Sequence, residues 1–464
     1  MGTVLRKARR APGTGSRTGT PILIRGGTVW TPDGARRADV RVAGETIAEI
    51  GELAPRRGEE VFEAAGLHVL PGMIDVHVHA DDVVAGRELA DTLPTASGLA
   101  VCTGVTTLAG FATQREGETV TEAVARCRDR VGGRSWCDVA FHLTPTAWPW
   151  DWTEVGRLVA SGVTTFKLYT TYRAAGLYTD YERLGTIMAR LAKLGARLLV
   201  HCEDDATLAA VGQEGLDFAD ARTHAAMRPE RAEVVAVERV LELAARTGCA
   251  VHVVHVSTAD ALARIAAARS RAAVTCETAP HYLRLSDTAL GGAQGHRWLC
   301  TPPLRPEATR GRLEADAAAG SFDLFATDHC AFSRADKDAH RGDVRAVPSG
   351  VAGIGALVAT VFELVVKRHH RPLGELALRL AANPARLLGL YPRKGAIAVG
   401  SDADLAVVDP SGPARPVTST LADAYETYPG RTTTLAVRRV LVRGRVAVAE
   451  GALAGGGPRG RPLA

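Results

Sequence analysis

Two histidines at the end of a strand-like segment are the first residues of this chain that could bind a metal ion. His77 and His79 close the apolar segment at residues 70–79, with one residue between them. Alternate residues of a strand point to the same side, so both imidazoles can contact one ion. A single pair of this kind also arises by chance or for structural reasons, so its meaning depends on the residues that follow.

Three further metal-binding side chains stand at the ends of later apolar segments. These are His201, His255 and Asp328. Imidazole nitrogens and carboxylate oxygens are common ligands of zinc and other first-row metals. Each residue could be a structural polar group by itself. Together with the first pair, their repeated position at strand ends predicts a metal centre.

Lys167 lies inside the apolar segment at residues 164–168. Burying a lysine as an ammonium ion is costly, so the side chain needs a partner of opposite charge or must lose its own charge. A buried salt bridge is the simpler interpretation. The alternative is that CO2 adds to the neutral amine and forms a carbamate, whose two oxygens bridge two cations.

The segments that must position these groups alternate between apolar runs and helical patterns from about residue 70 to residue 390. Residues 181–194 and 231–246, for example, carry apolar side chains at helical spacing. Apolar strands joined by helices indicate a parallel sheet covered on both faces. About eight such units predict an α/β fold of the (β/α)8 TIM barrel type, with functional groups at the C-terminal strand ends. An open doubly wound sheet is the alternative.

Both ends of the chain have a different pattern, with short alternating strands and glycine turns. We expect these ends to form one small β-sandwich domain. The predicted organisation is a disordered leader, the first part of the sandwich, the metal-dependent barrel, the second part of the sandwich and a flexible tail, over residues 1–20, 21–69, 70–390, 391–450 and 451–464.

Composition excludes several classes of function. The 464 residues are 46% apolar and 23% charged, with a net charge of +5, and no basic stripe interleaved with aromatic residues indicates nucleic acid as a partner. No apolar run approaches the ~20 residues that span a membrane. The eight cysteines have no Cys-x-x-Cys spacing, which favours free thiols and a cytoplasmic location.

The chain resembles the cyclic amidohydrolases of the amidohydrolase superfamily, most closely the hydantoinase/dihydropyrimidinase branch, with allantoinases and dihydroorotases as relatives. The resemblance extends from about residue 21 to residue 445 and rests on an ordered set of motifs. Those motifs include PGMIDVHVH at 71–79, VHCED at 200–204, VVHVS at 253–257, ETAPHYL at 277–283 and ATDHC at 326–330.

The resemblance implies two divalent ions, most simply zinc, as cofactors. One ion would be held by His77, His79 and Asp328, and an outer ion by His201 and His255. An N6-carboxylated Lys167 would bridge them. Two cations about 3.5–4 Å apart activate a shared water and polarise an amide carbonyl.

The resemblance also implies roles for residues beside the metals. Asp328 would move a proton from the attacking water to the leaving nitrogen. Tyr172, five residues after Lys167, would bind the oxyanion, although a packed loop aromatic is the simpler interpretation. Backbone groups at Thr301 and Ser349 would bind the ring imide; family members usually have asparagine at the latter position.

The substrate expected from these features is a small neutral cyclic amide or ureide, such as hydantoin or a dihydropyrimidine. Dihydroorotase-like enzymes usually carry arginine where this chain has Asp81, and family members often carry an acidic residue where it has Gly355. An allantoinase and a ureido-acid cyclase are the alternatives within the family. A non-catalytic scaffold protein is the alternative of another class, although all six ligand positions are present. The branch suggests a homotetramer or homodimer.

Overall fold

Eight parallel strands form the central sheet of the molecule. The computed structural model describes residues 20–463, so the predicted leader, apart from Thr20, lies outside the described residues. Each strand pairs with the next in chain order, as in a TIM barrel. The strands are Met73–Asp75, Val105–Thr113, Asp138–Thr144, Thr165–Tyr169, Arg197–His201, Ala250–Val253, Val274–Thr278 and Leu324–Phe325.

The first and last strands of this sheet meet at their C-terminal ends. The short strands Val78–His79 and His329–Cys330, which follow them, pair in parallel. Just before this pairing, Thr327 donates hydrogen bonds from its backbone N–H (3.0 Å) and its hydroxyl (2.6 Å) to the buried Asp75 carboxylate. The barrel is therefore closed at the rim where the predicted metal ligands lie.

Helices connect the strands, and their sequences explain where they begin and end. In Tyr181–Leu194 the Asp180 side chain accepts a hydrogen bond from the Arg183 backbone N–H (2.8 Å), and Gly195 ends the helix with a φ of 68°. The side chains that this helix buries are spaced by three and four residues. They are Leu184, Ile187, Met188 and Leu191.

The remaining helices lie between successive barrel strands in the chain or follow the last of them. The α-helices are Leu93–Cys102, Val120–Asp129, Trp152–Ala160, Asp205–Ala209, Arg222–Met227, Glu230–Thr247, Ala259–Ala268, Pro280–Arg284, Glu307–Ala319, Arg334–Ala339, Leu357–Val361, Gly374–Ala377 and Asn383–Leu387. Short 3-10 helices lie at Arg173–Ala175, Asp287–Leu290 and Gly295–Trp298, and π-helices at Phe362–Arg368 and Leu378–Ala382.

Strands from both ends of the chain form a second sheet. Side chains from the two ends, such as Val40 and Leu405, share one apolar cluster, so this sheet has a core of its own. Small two-stranded sheets also pair Val83–Val84 with Arg87–Glu88 and Arg415–Pro416 with Thr432–Thr433. The strands of the large sheet are Ile22–Thr31, Gly34–Ala43, Thr46–Gly51, Glu60–Glu63, His68–Pro71, Leu405–Asp409, Ala436–Val442, Arg445–Ala449 and Ala452–Leu453.

The C-terminal segment that we expected to be a flexible tail makes specific contacts. Ala452–Leu453 extends the second sheet, and residues 459–463 lie along the start of the barrel strand Asp138–Thr144. Val139 donates a hydrogen bond to the Arg461 carbonyl (2.9 Å) and accepts one from the Leu463 N–H (2.7 Å). Our domain boundaries stay predictions, but the tail occupies an edge of the barrel strand.

Two simpler expectations concern the cysteines and membranes. All eight cysteines are free thiols, and each except Cys102 is buried. Within residues 20–463, no helix combines the length and apolar character that crossing a membrane would require.

Candidate metal centre

All nine residues that we predicted for the site line one cavity of about 660 Å³ at the C-terminal rim of the barrel. Six of them lie in or just after barrel strands, and the parallel strands of a barrel end on the same side, whereas Tyr172, Thr301 and Ser349 lie in loops. The individual roles of these residues stay predictions. They are His77, His79, Lys167, Tyr172, His201, His255, Thr301, Asp328 and Ser349.

His77, His79 and Asp328 form what we call the inner cluster. The Nε2 atoms of His77 and His79 lie 3.2 and 3.8 Å from Oδ1 of Asp328. One ligand atom from each residue lies within 4.8 Å of the other two. The ring of Phe111 stacks on His79, with ring centres 4.6 Å apart. One cation can therefore contact all three side chains.

His201 and His255 form what we call the outer pair. Nδ1 of His201 lies 2.9 Å from Nε2 of His255, and the His255 ring centre is 5.4 Å from that of His77. The outer pair is thus next to the inner cluster. Burial lowers the pKa of His201 to about 4 and that of His255 well below its usual range. Both rings are therefore neutral near pH 7, the form that binds metal ions.

Lys167 lies in the strand Thr165–Tyr169, with its side chain buried. Its Nζ is 5.7 Å from the ring centre of Phe111 and 5.1 Å from that of Tyr169. Among residues 20–463 it forms no salt bridge, so the simpler of our two interpretations has no support. Burial lowers the pKa of Lys167 to about 8, against the attraction of Asp328 and Glu277.

Glu277 contacts the ring nitrogen of His77 that does not face Asp328, a role that we did not predict. Its Oε1 lies 2.6 Å from Nδ1 of His77, and its Oε2 lies 3.0 Å from Nε2 of His252. Burial alone would raise the pKa of Glu277, but the two imidazoles hold it well below its usual range. This contact directs the other ring nitrogen of His77 to Asp328. Carboxylates commonly orient metal-binding histidines in this way.

Glu203 supports the outer pair in the same way. Its Oε2 lies 2.7 Å from Nε2 of His201, which leaves Nδ1 of that ring facing His255. Arg228 donates two hydrogen bonds to Glu203, of 3.0 and 2.6 Å. The spacing of two residues between His201 and Glu203 is a signal that could have revealed this partner. Nothing in the sequence spacing pointed to Arg228.

Tyr172 lies beside the outer pair, with its ring centre 5.0 Å from that of His201. Burial raises the pKa of Tyr172 well above its usual range, although the Arg228 guanidinium and the Thr301 hydroxyl oppose the rise. The phenol is therefore protonated at neutral pH and can donate a hydrogen bond. Thr301 Oγ1 in turn lies 3.3 Å from Nε2 of His224.

The donor set fits divalent metal ions. Nδ1 of His255 is buried and has no hydrogen-bond partner within the described part of the chain, which is unusual for a polar atom. Imidazoles and a carboxylate in adjacent clusters match zinc and similar ions, and Glu277 and Glu203 orient the rings of His77 and His201. These residues are candidate metal-binding groups.

Comparisons with known proteins agree with this geometry. Residues 68–447 match the Amidohydrolase family. A D-hydantoinase from Ralstonia pickettii is 34% identical over 94% of this chain and 96% of that protein, and one from Rhizobium radiobacter is 33% identical over 94% and 96%. The crystal structure of a dihydropyrimidinase from Brevibacillus agri superposes with a TM-score of 0.90 at 32% identity, covering 96% of this chain and 98% of that one. The chain therefore belongs to the amidohydrolase family.

Proposed function

We propose that this protein is a cyclic amidase that reversibly hydrolyses a ring such as hydantoin or dihydropyrimidine at a centre of two divalent ions. The observation that carries the proposal is that the inner cluster, the outer pair and Lys167 all line one cavity. Within residues 20–463, that cavity contains no other cluster of metal-binding side chains. The D-hydantoinases and dihydropyrimidinases among its relatives support this choice of reaction.

The metal ions, when bound, would polarise the amide carbonyl and supply a water of lowered pKa. The inner cluster would hold one of them and the outer pair the other. Lys167 would bridge both after its neutral amine bonds to the carbon of CO2 and loses one proton. The metal is most simply zinc, since the donor set consists of imidazoles and carboxylates.

Asp328 is the residue that we propose moves the proton. Its carboxylate lies beside His77, and burial raises its pKa, so it can accept a proton from water and give it to the leaving nitrogen. Tyr172 would donate its O–H to the oxyanion of the tetrahedral intermediate. Backbone groups at Thr301 and Ser349 would bind the ring imide and orient the scissile bond.

The identity of the ring is the finer part of the proposal. Asp81 forms a salt bridge with Arg134 (2.7 Å), so this position offers no cation to a substrate carboxylate, which disfavours dihydroorotate. An allantoinase or a ureido-acid cyclase would use the same residues. A non-catalytic scaffold would need no complete ligand set, and this chain retains all six positions.

A substrate panel tests the proposal. Hydantoin, dihydrouracil, allantoin and dihydroorotate are each offered to the zinc-loaded protein, and the corresponding ureido acids are offered for ring closure. We expect hydantoin or dihydrouracil to give the highest kcat/KM. No turnover of any ring, with two zinc ions bound, would favour the scaffold alternative.

We also propose that the protein is located in the cytoplasm and forms a homodimer or homotetramer. Cell fractionation would measure its location, and light scattering would measure its oligomeric state.

A further inference from the structure

Arg228 connects two parts of the proposed active site that are far apart in the sequence. Its Nε and Nη2 donate to the two oxygens of Glu203, at 3.0 and 2.6 Å. That carboxylate is fully buried and lies 2.7 Å from Nε2 of His201. A planar guanidinium can hold both carboxylate oxygens at once, which an ammonium group cannot. The orientation of His201 therefore depends on Arg228 through one buried carboxylate.

The same guanidinium contacts the proposed oxyanion-binding residue. Its central carbon lies 5.4 Å from the ring centre of Tyr172, a distance at which a cation and an aromatic face attract each other. Arg228 also lines the cavity. The Tyr172 ring therefore neighbours both the Arg228 guanidinium and the His201 imidazole, whose ring centre is 5.0 Å away.

The backbone at this position is fixed as well. The Arg228 carbonyl accepts a hydrogen bond of 2.7 Å from Nη1 of the buried Arg305. Arg305 in turn donates to the hydroxyl of Ser257 (3.0 Å), two residues after His255. The guanidinium therefore starts from a fixed point close to both residues of the outer pair.

We propose that Arg228 is a positioning residue that keeps the outer metal ligand and the oxyanion donor in one geometry. This inference rests on the proposed function. The two hydrogen bonds from the guanidinium fix the Glu203 carboxylate against His201, and the same cation restricts the Tyr172 ring. Loss of Arg228 therefore affects zinc affinity through His201 and the rate of ring opening through Tyr172.

A matched arginine elsewhere separates this role from that of an ordinary ion pair. Arg126 binds Glu118 by the same two-point geometry, at 2.7 and 2.9 Å. Its side chain is 21% exposed, against 17% for Arg228. It lies on the helix Val120–Asp129 and does not line the cavity. Arg126→Met therefore serves as the control variant.

The experiment measures zinc affinity, by competition with a chelator, and kcat for the best ring substrate. We expect Arg228→Met to weaken zinc binding by about 10- to 100-fold and to lower kcat by a similar factor, and Arg126→Met to change neither. Arg228→Lys should recover part of the zinc affinity, because its charge still pairs with Glu203, but not kcat.

A double-mutant cycle tests the link to Tyr172. If Arg228 acts on the rate through the phenol, Arg228→Met should lower kcat much less in the Tyr172→Phe background than in the wild type. Equal losses in both backgrounds, or zinc affinity unchanged in Arg228→Met, would overturn the inference. Should Arg228→Met fail to melt cooperatively, the recovery pattern of Arg228→Lys decides.

The two proposals fail in different ways. A wild-type protein that opens no ring refutes the proposed function, while the zinc affinity of the Arg228 variants still reports the link to His201. A wild-type protein that is active, with Arg228→Met indistinguishable from Arg126→Met in both measurements, refutes only the role of Arg228.

Discussion

Replacing Lys167 by alanine removes the group that we propose to bridge the two cations. CO2 adds only to the neutral amine, so the relevant quantity is the neutral fraction before metal binds. With the pKa lowered by burial from 10.5 to about 8, about 10% of the Lys167 amine is neutral at pH 7, against about 0.03% for an exposed lysine. Burial in the strand therefore makes roughly 300-fold more of the reactive form available.

We expect Lys167→Ala to lose ring-opening activity by about 10³-fold or more, because metal ions contribute several kcal/mol to such a reaction. Zinc content should fall with it. Short carboxylic acids should restore part of both, since they offer two oxygens in the space that the side chain leaves. The assay combines kcat/KM for the preferred ring with metal analysis of the purified variant.

A second buried lysine provides the control. Burial also lowers the pKa of Lys337 to about 8, but its amine donates to the Leu299 carbonyl (2.9 Å) and does not line the cavity. Lys337→Ala should keep its zinc, whichever way its stability changes. Unchanged zinc content and turnover in Lys167→Ala would refute the bridging role.

The wild type offers an independent test of the carbamate. At fixed dissolved CO2, metal-free protein should be reconstituted faster as the pH rises, because the neutral fraction of Lys167 grows from about 1% at pH 6 to about 50% at pH 8, roughly 50-fold. The gain should level off above pH 8, the pKa that burial sets. Reconstitution that is independent of both CO2 and pH would contradict the chemistry proposed for this side chain.

Three further predictions follow from individual contacts. Tyr172→Phe should lower kcat by about 10²-fold or more with zinc retained; a normal kcat would exclude the phenol from oxyanion binding. Glu277→Gln should weaken zinc binding by about 10- to 100-fold, because a neutral amide holds His77 less firmly. An unchanged zinc affinity in a chelator titration would contradict this role of Glu277. Gly460→Ala should lower the Tm, since its Cβ would overlap the Cys137 carbonyl oxygen, whereas Gly455→Ala meets nothing within 4 Å; equal melting of both would show that the tail contact is dispensable.

Much of the barrel was predictable because its strands and helices have strong local patterns. The predicted helix at residues 181–194 coincides with Tyr181–Leu194, and the one at 231–246 lies within Glu230–Thr247. The apolar segment at residues 164–168 overlaps the strand Thr165–Tyr169. Burial of whole strands and of one helix face produces such patterns directly. The metal-type residues then followed from the rule that strand ends carry function.

The groups that support the proposed ligands were harder to predict. Glu277 lies 200 residues after His77 in the chain, and Arg228 follows a short helix rather than a barrel strand. Neither has a spacing that relates it to its partner. Such contacts arise only when the barrel closes, so local periodicity carries no information about them. The docking of residues 459–463 was missed for the same reason, since its partners are backbone atoms of a distant strand.

Three residues of the candidate site have a backbone conformation that is uncommon for residues other than glycine. Tyr172, His255 and Asp328 have positive φ values of 67°, 38° and 49°, which cost non-glycine residues of order 1–3 kcal/mol each. Glycine would relieve this strain but would remove the side chain that the proposed reaction needs. The surrounding contacts must therefore hold these residues in place, as the Thr327–Asp75 hydrogen bonds do next to Asp328. The geometry proposed for the site therefore costs the rim some stability, because three of the residues proposed to bind metal, proton and oxyanion adopt strained backbone conformations.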